Sequence, residues 1–255
     1  MSAYKPVTDT FGRRITYLRM SVTDRCSMRC VYCAPEKPDF LPDERMLTID
    51  ELARIAEVAV DAGITKIRLT GGEPLAREGI VELVSRISAL PGIEDLSLST
   101  NGLALAAFAP ALKAAGLHRV NVSLDTLRPD RFKAICRAGE LATVIEGIDA
   151  AVSAGLNPVK VNVVVRRNAN DDEPGDFVIF SQKHGVTVRF IEFMPSKKNA
   201  TDAENERVPG AEIISKLRPF LAEGAEFVNT PGEAARHMHL SGGGSAGIIS
   251  PVTHG

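Results

Sequence analysis

The sequence predicts an α/β protein, an open or partial (β/α)6 barrel of parallel strands, on three observations. Apolar runs of strand length alternate with stretches whose apolar residues recur every three or four positions, the period of an amphipathic helix. Gly63, Gly116, Gly155 and Gly185 each follow such a stretch, as a helix C-terminus favours. The strand, helix, strand unit then repeats along the chain, and such repeats build a parallel sheet with its functional face at the strand C-terminal ends. A doubly wound open sheet is the alternative topology.

The elements follow in order. The apolar run Ile15–Val22 opens the sheet, and the helical pattern Ile49–Ala62 leads to a strand at Lys66–Thr70. Ile80–Leu90 has helical spacing and precedes the short apolar strand Leu96–Ser99; Leu105–Ala115 then precedes Arg119–Leu124. Thr143–Ala154 and Asp176–His184 are the last two helices of the repeat, before the strands Lys160–Val165 and Thr187–Phe193 respectively. Residues 10–195 are therefore expected to form the barrel core, with 196–255 an incomplete C-terminal region. There Ser196–Arg207, charged and poor in apolar residues, reads as a mobile loop and Gly210–Phe220 as a further helix. The run Gly242-Gly243-Gly244 is left open between a linker and ordered chain.

Composition narrows the function classes. A chain of 255 residues with 44% hydrophobic and 24% charged residues is that of a globular protein. Its net charge of −2 argues against a broad nucleic-acid or anionic-membrane surface, so no nucleic-acid or membrane partner is expected and any anion site is local. Met1–Arg14 has no apolar core for a signal peptide, and no run approaches the ~18 apolar residues of a membrane span. With three of its four cysteines clustered, the chain reads as cytoplasmic, where thiols stay reduced.

The cluster is Cys26, Cys30 and Cys33, a CxxxCxxC run placed just after the first strand. A cubane iron–sulfur cluster normally takes four thiolates, so three leave one iron open to a small molecule. A structural zinc site usually needs a second pair of ligands; His237 and His239 are distant and not in a usual zinc spacing. Thr70-Gly71-Gly72-Glu73-Pro74 ends the second strand at the same mouth, where two glycines admit close backbone approach and Glu73 with its neighbouring carbonyls offers acceptors for an amine. Ser99-Thr100-Asn101-Gly102 and Asn121-Val122-Ser123-Leu124-Asp125 end the next two strands, where turn chemistry competes with function, evenly so for Asp125. Strand side chains alternate between faces, so Lys66 and Arg68 share the face opposite Ile67 and Leu69. Lys160 with Asn162 and Thr187 with Arg189 repeat the arrangement, and Arg19 stands on the first strand. A polyphosphate or carboxylate ligand would satisfy these inward cations; pairs with Glu73, Asp125 or Glu192 are the alternative.

These motifs together (LRMSVTDRC, CxxxCxxC with Tyr32, TGGEPL, STNG, NVSLD, PVKVN and IEFMP) resemble the GTP 3′,8-cyclase family of radical S-adenosylmethionine enzymes, which act in molybdenum cofactor biosynthesis. The resemblance runs from about Thr10 to Gly255. It implies that Cys26, Cys30 and Cys33 hold a [4Fe–4S] cluster, that Tyr32, Gly72, Ser123 and Met194 contact S-adenosylmethionine, and that Arg19, Arg68, Ser99 and Lys160 contact GTP. Lys66 is a further phosphate candidate, and Arg189, placed near either ligand, is assigned to GTP. It also implies reductive cleavage of S-adenosylmethionine to a 5′-deoxyadenosyl radical, abstraction of H3′ from GTP and attack of the carbon radical on C8 of guanine. An unidentified reductant is expected, and homodimerisation is left open. The family continues into a second cysteine triplet and a double-glycine tail, so this chain is expected to be truncated, to generate the radical and to convert GTP poorly. Ser99 stands where the family usually has threonine, and Cys136 reads as filler in a helical stretch. A single-cluster enzyme acting on another anionic substrate and a non-catalytic binding fragment are the competing readings.

Overall fold

Six strands stand side by side in chain order: β1 (Tyr17–Ser21), β2 (Lys66–Thr70), β3 (Asp95–Thr100), β4 (Arg119–Ser123), β5 (Lys160–Val165) and β6 (Thr187–Glu192). The computed structural model describes residues 7–33, 38–194, 204–226, 228–229 and 234–251. All five neighbouring pairs are parallel, with Arg19 beside Arg68, Arg68 beside Ser97, Ser99 beside Asn121, Asn121 beside Lys160 and Asn162 beside Arg189. Sequential order from β1 to β6 means that the chain never reverses its direction of winding, which excludes the doubly wound alternative.

Helical crossovers join the strands: α1 (Ile49–Asp61), α2 (Ile80–Ser88), α3 (Leu105–Ala114), α4 (Pro129–Cys136) with α5 (Leu141–Ser153), and α6 (Pro174–His184). A capping box opens α1: the Thr48 hydroxyl accepts from the Glu51 amide at 3.2 Å, and the Glu51 carboxylate accepts from the Thr48 amide at 2.8 Å. The short α4 has no bounds among the predicted helices, although Cys136, its last residue, is expected in a helical stretch. Its mixed polarity gives little periodicity, but Pro129 begins it and Arg137 ends it in the left-handed conformation, φ 59°. Ile67, Leu69, Leu96, Leu98, Val120, Val122, Val161, Val163, Val188 and Phe190 form the fully buried outer face of the sheet, joined by helix residues such as Leu83, Leu112 and Ile148. The alternate residues face inward and, apart from Val164 and Ile191, are polar on β2 to β6.

The C-terminal region extends this sheet rather than leaving it. Strands β7 (Val228–Asn229), β8 (Arg236–His239) and β9 (Ser245–Ile249) bring the total among the described residues to nine, in the order β1-β2-β3-β4-β5-β6-β9-β8-β7. Strand β9 runs parallel to β6 and antiparallel to β8. The triple glycine is therefore a hairpin turn and not a linker: Gly243 and Gly244 adopt φ 87° and 79°, and the Leu240 amide donates to the Gly244 carbonyl at 3.2 Å. Helix α7 (Gly210–Leu217) fills the stretch predicted as helical up to Phe220, the last three residues being a 3-10 turn. Of the predicted mobile loop, 196–203 lies outside the described residues, whereas Arg207 bridges to Arg166 and the Arg167 amide donates to the Glu206 carbonyl at 2.7 Å. Residues 252–255 and the first six also lie outside the described residues. No helix among the described residues is long and apolar enough to cross a membrane.

Candidate active site

The cysteine loop leaves β1 at the C-terminal mouth of the sheet and is fastened on three sides. Toward β2, the Gly72 amide donates to the Thr23 carbonyl and the Glu73 amide to the Arg25 carbonyl, both at 2.7 Å. A Cβ at Gly72 would lie 2.6 Å from the Arg25 carbonyl carbon and 2.7 Å from the Asp24 oxygen, so glycine is what lets the two main chains meet. Toward α4, the Arg29 and Val31 amides donate to the Cys136 and Ile135 carbonyls, each at 3.0 Å. On the outside, Arg25 reaches the Leu41 carbonyl at 3.0 Å and Asp43 at 2.7 Å, while its guanidinium and that of Arg29 lie over the Phe40 ring. Met28 is buried in the core beneath the loop.

Within this frame Cys26 and Cys30 are half-buried and Cys33 is exposed. The Asn101 amide donates to Ser27 Oγ at 3.0 Å and to Cys26 Sγ at 3.9 Å. Burial holds the Cys26 thiol above its ordinary range, and the Cys30 thiol is pushed up by a side-chain bond to Cys136, then by burial and the nearby Asp125. Among the described residues no three His, Cys, Asp or Glu side chains converge on one point as a single ion requires. A cubane distributes its ligands over separate irons, so cysteines standing apart on one loop suit it. The donor set, all thiol, and the glycine-lined contact behind it fit a [4Fe–4S] cluster.

The residues expected around S-adenosylmethionine all come to this mouth. Gly72 follows β2, Ser123 ends β4 exposed to solvent, Met194 follows β6 half-exposed, and Tyr32 lies in the cysteine loop. The Tyr32 hydroxyl donates to Asp125 Oδ2 at 2.5 Å, and its ring meets Phe193 edge-on at 6.0 Å with the Arg166 guanidinium 5.5 Å away. Burial, then the adjacent Asp125 charge, holds the tyrosine proton in place. Asp125 also accepts from the Val164 amide at 2.9 Å, so it ties the cysteine loop to β4 and β5. Glu73 departs from expectation. Its carboxylate accepts from Leu75 N at 3.0 Å, Thr100 Oγ1 at 2.7 Å and Asn101 N at 2.6 Å, and so serves the protein's own donors instead of a ligand amine.

The inward cations fall into two groups. Lys66, Arg68 and Arg19 lie on β2 and β1, with Arg19 and Arg68 side by side and Lys66 at the N-terminal end of its strand. Arg68 donates to Ser97 Oγ at 3.3 Å and stacks over Tyr17; burial lowers its pKa, with Arg119 and Arg19 adding to the effect. Lys160 and Arg189 form the second group, both buried, and between the groups lie Ser99 and Asn121. Arg189 Nε donates to Asn162 Oδ1 at 2.9 Å and Nη2 to Asn121 Oδ1 at 2.8 Å. Asn121 was not among the predicted site residues. It is 1% exposed, and its Nδ2 finds no partner among the described residues, a buried donor turned toward the inner face. Its place two residues before Ser123 was the available sequence signal.

The radical SAM superfamily pattern matches residues 20–180. The chain is 46% identical over 248 residues to a GTP 3′,8-cyclase of Moorella thermoacetica and 50% identical over 250 residues to one of Pelotomaculum thermopropionicum, in both cases over 96% of this chain and 76% of the relative. Among solved structures, Streptococcus suis SuiB bound to S-adenosylmethionine superposes with a TM-score of 0.66 at 16% identity, over 80% of this chain and 46% of that one. Methylornithine synthase (PylB) gives 0.61 at 18% identity, over 79% and 61%. Both share the fold.

Proposed function

The chain belongs to the GTP 3′,8-cyclase family of the radical SAM superfamily, and on that premise we propose that its cysteine loop and inward cations form one site for closing a bond between C3′ and C8 of GTP. The observation that carries this reading is that two groups of cations share the inward face of a six-strand parallel sheet whose C-terminal mouth carries a three-thiol loop. Cys26, Cys30 and Cys33 would hold a [4Fe–4S] cluster, which would supply one-electron chemistry: an electron from an external reductant would cleave S-adenosylmethionine to methionine and the 5′-deoxyadenosyl radical that abstracts H3′ of GTP.

The chain's own residues do the positioning. Gly72, Ser123, Met194 and the main chain at Tyr32 surround the S-adenosylmethionine seat, with the Tyr32 phenol engaged by Asp125 so that the loop holds its place. Arg19, Arg68 and Lys66 on one side and Lys160 and Arg189 on the other grip the triphosphate, a task for which several charge-assisted donors from separate strands are suited. Ser99 and Asn121 lie between them, and the unpartnered amide of Asn121 has an acceptor once an anionic oxygen arrives. The outer face, sealed by helices, keeps water from that side of the sheet, as a reactive intermediate requires.

The test is anaerobic reconstitution with iron and sulfide, followed by dithionite, S-adenosylmethionine and GTP deuterated at C3′. One cubane requires about four irons per chain, and deuterium should appear in the 5′-deoxyadenosine released. Cys30→Ala should abolish that product. Bound zinc without sulfide, unchanged yield in Cys30→Ala, or deuterium-free 5′-deoxyadenosine would each refute the reading.

A further inference from the structure

Two of the three cluster cysteines have a protein group placed against their sulfur. Asn101, 9% exposed, points its Nδ2 at Cys26 Sγ from 3.9 Å and is fixed there: its Oδ1 accepts from Leu103 N at 3.1 Å, its main-chain amide donates to Glu73 at 2.6 Å, and Nδ2 also holds Ser27. Cys136, 5% exposed at the C-terminus of α4, stands against Cys30 because its carbonyl and that of Ile135 accept the main-chain amides on either side of Cys30. The Cys136 side chain lies against the Cys30 thiol and is the largest cause of its raised pKa. Cys136 lies among core residues such as Phe132 and Ile135.

From this arrangement we infer that Asn101 and Cys136 are positioning residues that donate hydrogen bonds to the ligand sulfurs of Cys26 and Cys30 and thereby raise the reduction potential of the cluster. The inference rests on the cluster assignment above. A thiolate bound to iron keeps lone pairs but no proton, so the remaining proton of each contact lies on Asn101 Nδ2 and on Cys136 Sγ. Donors to ligand sulfur stabilise the more negative, reduced cluster over the oxidised one, which is how hydrogen bonds to sulfur tune such centres. Cys136 thereby has a role beyond filling space in a helix. Asp125, whose charge bears on Cys30, acts in the opposite direction, so the donors offset a neighbouring carboxylate.

The test is a potentiometric titration, followed by electron paramagnetic resonance, of the reconstituted chain and three variants. Asn101→Asp keeps the acceptor for Leu103 and removes the donor; Cys136→Ala removes the thiol; Cys136→Ser retains a donor. The first two should titrate at a more negative potential, by about fivefold in the reduction equilibrium for each bond lost, or ~40 mV for one electron at ~59 mV per tenfold. Cys136→Ser should stay near wild type. Wild-type potentials in loaded Asn101→Asp and Cys136→Ala, or equal shifts in the Ala and Ser variants, would overturn the inference. Should a variant fail to fold, resonance Raman of the unsubstituted chain decides: transfer to D2O should move the iron–thiolate stretches, and unmoved bands would overturn it. Failure of the unsubstituted chain to bind iron and sulfide would instead overturn the cluster assignment beneath it.

Discussion

Replacing Gly72 by alanine tests how the cysteine loop is seated. The new methyl would meet only main-chain atoms of the loop, 2.6 Å from the Arg25 carbonyl carbon and 2.7 Å from the Asp24 oxygen, and closer still to the Arg25 oxygen. None of these belongs to a flexible side chain that could swing away. The loops must therefore separate, stretching the two 2.7 Å bonds from Gly72 to Thr23 and from Glu73 to Arg25. Overpacking of this kind costs about 1–3 kcal/mol, and each of the two weakened hydrogen bonds adds about 1 kcal/mol, for a total of about 3–5 kcal/mol. Gly72 is outside the positive-φ glycines, so the cost is steric and not conformational. Urea unfolding of the cluster-free chain followed by circular dichroism should show that loss, and iron content after reconstitution should fall because Cys26 adjoins Arg25. A Gly72→Ala chain that matches the wild type in both midpoint and iron content would refute the proposed seating.

Asn121→Ala should weaken binding of GTP and of inorganic tripolyphosphate about tenfold or more, as loss of a hydrogen bond to a charged group does; calorimetry showing unchanged affinity for both would remove Asn121 from the site. Glu173, buried, accepts from Thr126 Oγ1 and Leu127 N at 2.7 Å and from Arg131 at 2.8 Å; Arg131 keeps its pair with Asp172, so Glu173→Ala should cost about 3 kcal/mol in a denaturant titration by leaving the Thr126 hydroxyl and the Leu127 amide without this acceptor. A loss under ~1 kcal/mol would contradict that. Burial holds the Asp125 carboxyl above its ordinary value of 3.8, so the folded chain keeps this proton at a pH where the unfolded chain has released it. The stability contributed at Asp125 is then full below 3.8 and declines as pH rises toward the folded value. Asp125→Asn in the cluster-free chain should therefore lack this decline, and stability curves for the two proteins that stay parallel from about pH 4 upward would refute the assignment.

What was legible in the sequence is what depends on local pattern. Alternation along Lys66–Thr70 and Lys160–Val165 foretold which side chains face inward, and the strand-helix repeat foretold parallel pairing in chain order. The positions of Cys26, Gly72 and Ser123 at one mouth follow from those two facts. What escaped depends on partners distant in the chain. Nothing near Glu73 in sequence tells that its carboxylate turns to Thr100 and Asn101, and a buried amide without a partner, as at Asn121, exists only once β5 and β6 close around it. The triple glycine was ambiguous because flexible linkers and positive-φ turns share a composition; pairing of β8 with β9 decides between them. Short α4 was legible only as a helical stretch around Cys136, without bounds, because eight residues with three charges offer little periodicity.

The carboxylates of Glu73 and Glu173 solve the same problem in two halves of the rim. Glu73, after β2, takes a threonine hydroxyl and the following amide from the end of β3; Glu173, after β5, takes a threonine hydroxyl and the following amide from just past β4. Each therefore joins two neighbouring loops at the strand C-terminal ends with bonds of 2.6–2.7 Å. Burial raises the Glu73 pKa, and the three donors around it oppose that shift. Through Asn101 the first of these joints reaches further, since the same residue whose amide binds Glu73 holds Ser27 and Cys26 with its side chain. The GGEP turn, the STNG turn and the cysteine loop, which look like separate motifs along the chain, are thus one hydrogen-bonded unit. A ligand bound at the vacant position of a cluster there meets main chain already fixed by the protein's own contacts, so less of its binding free energy goes into ordering the loops.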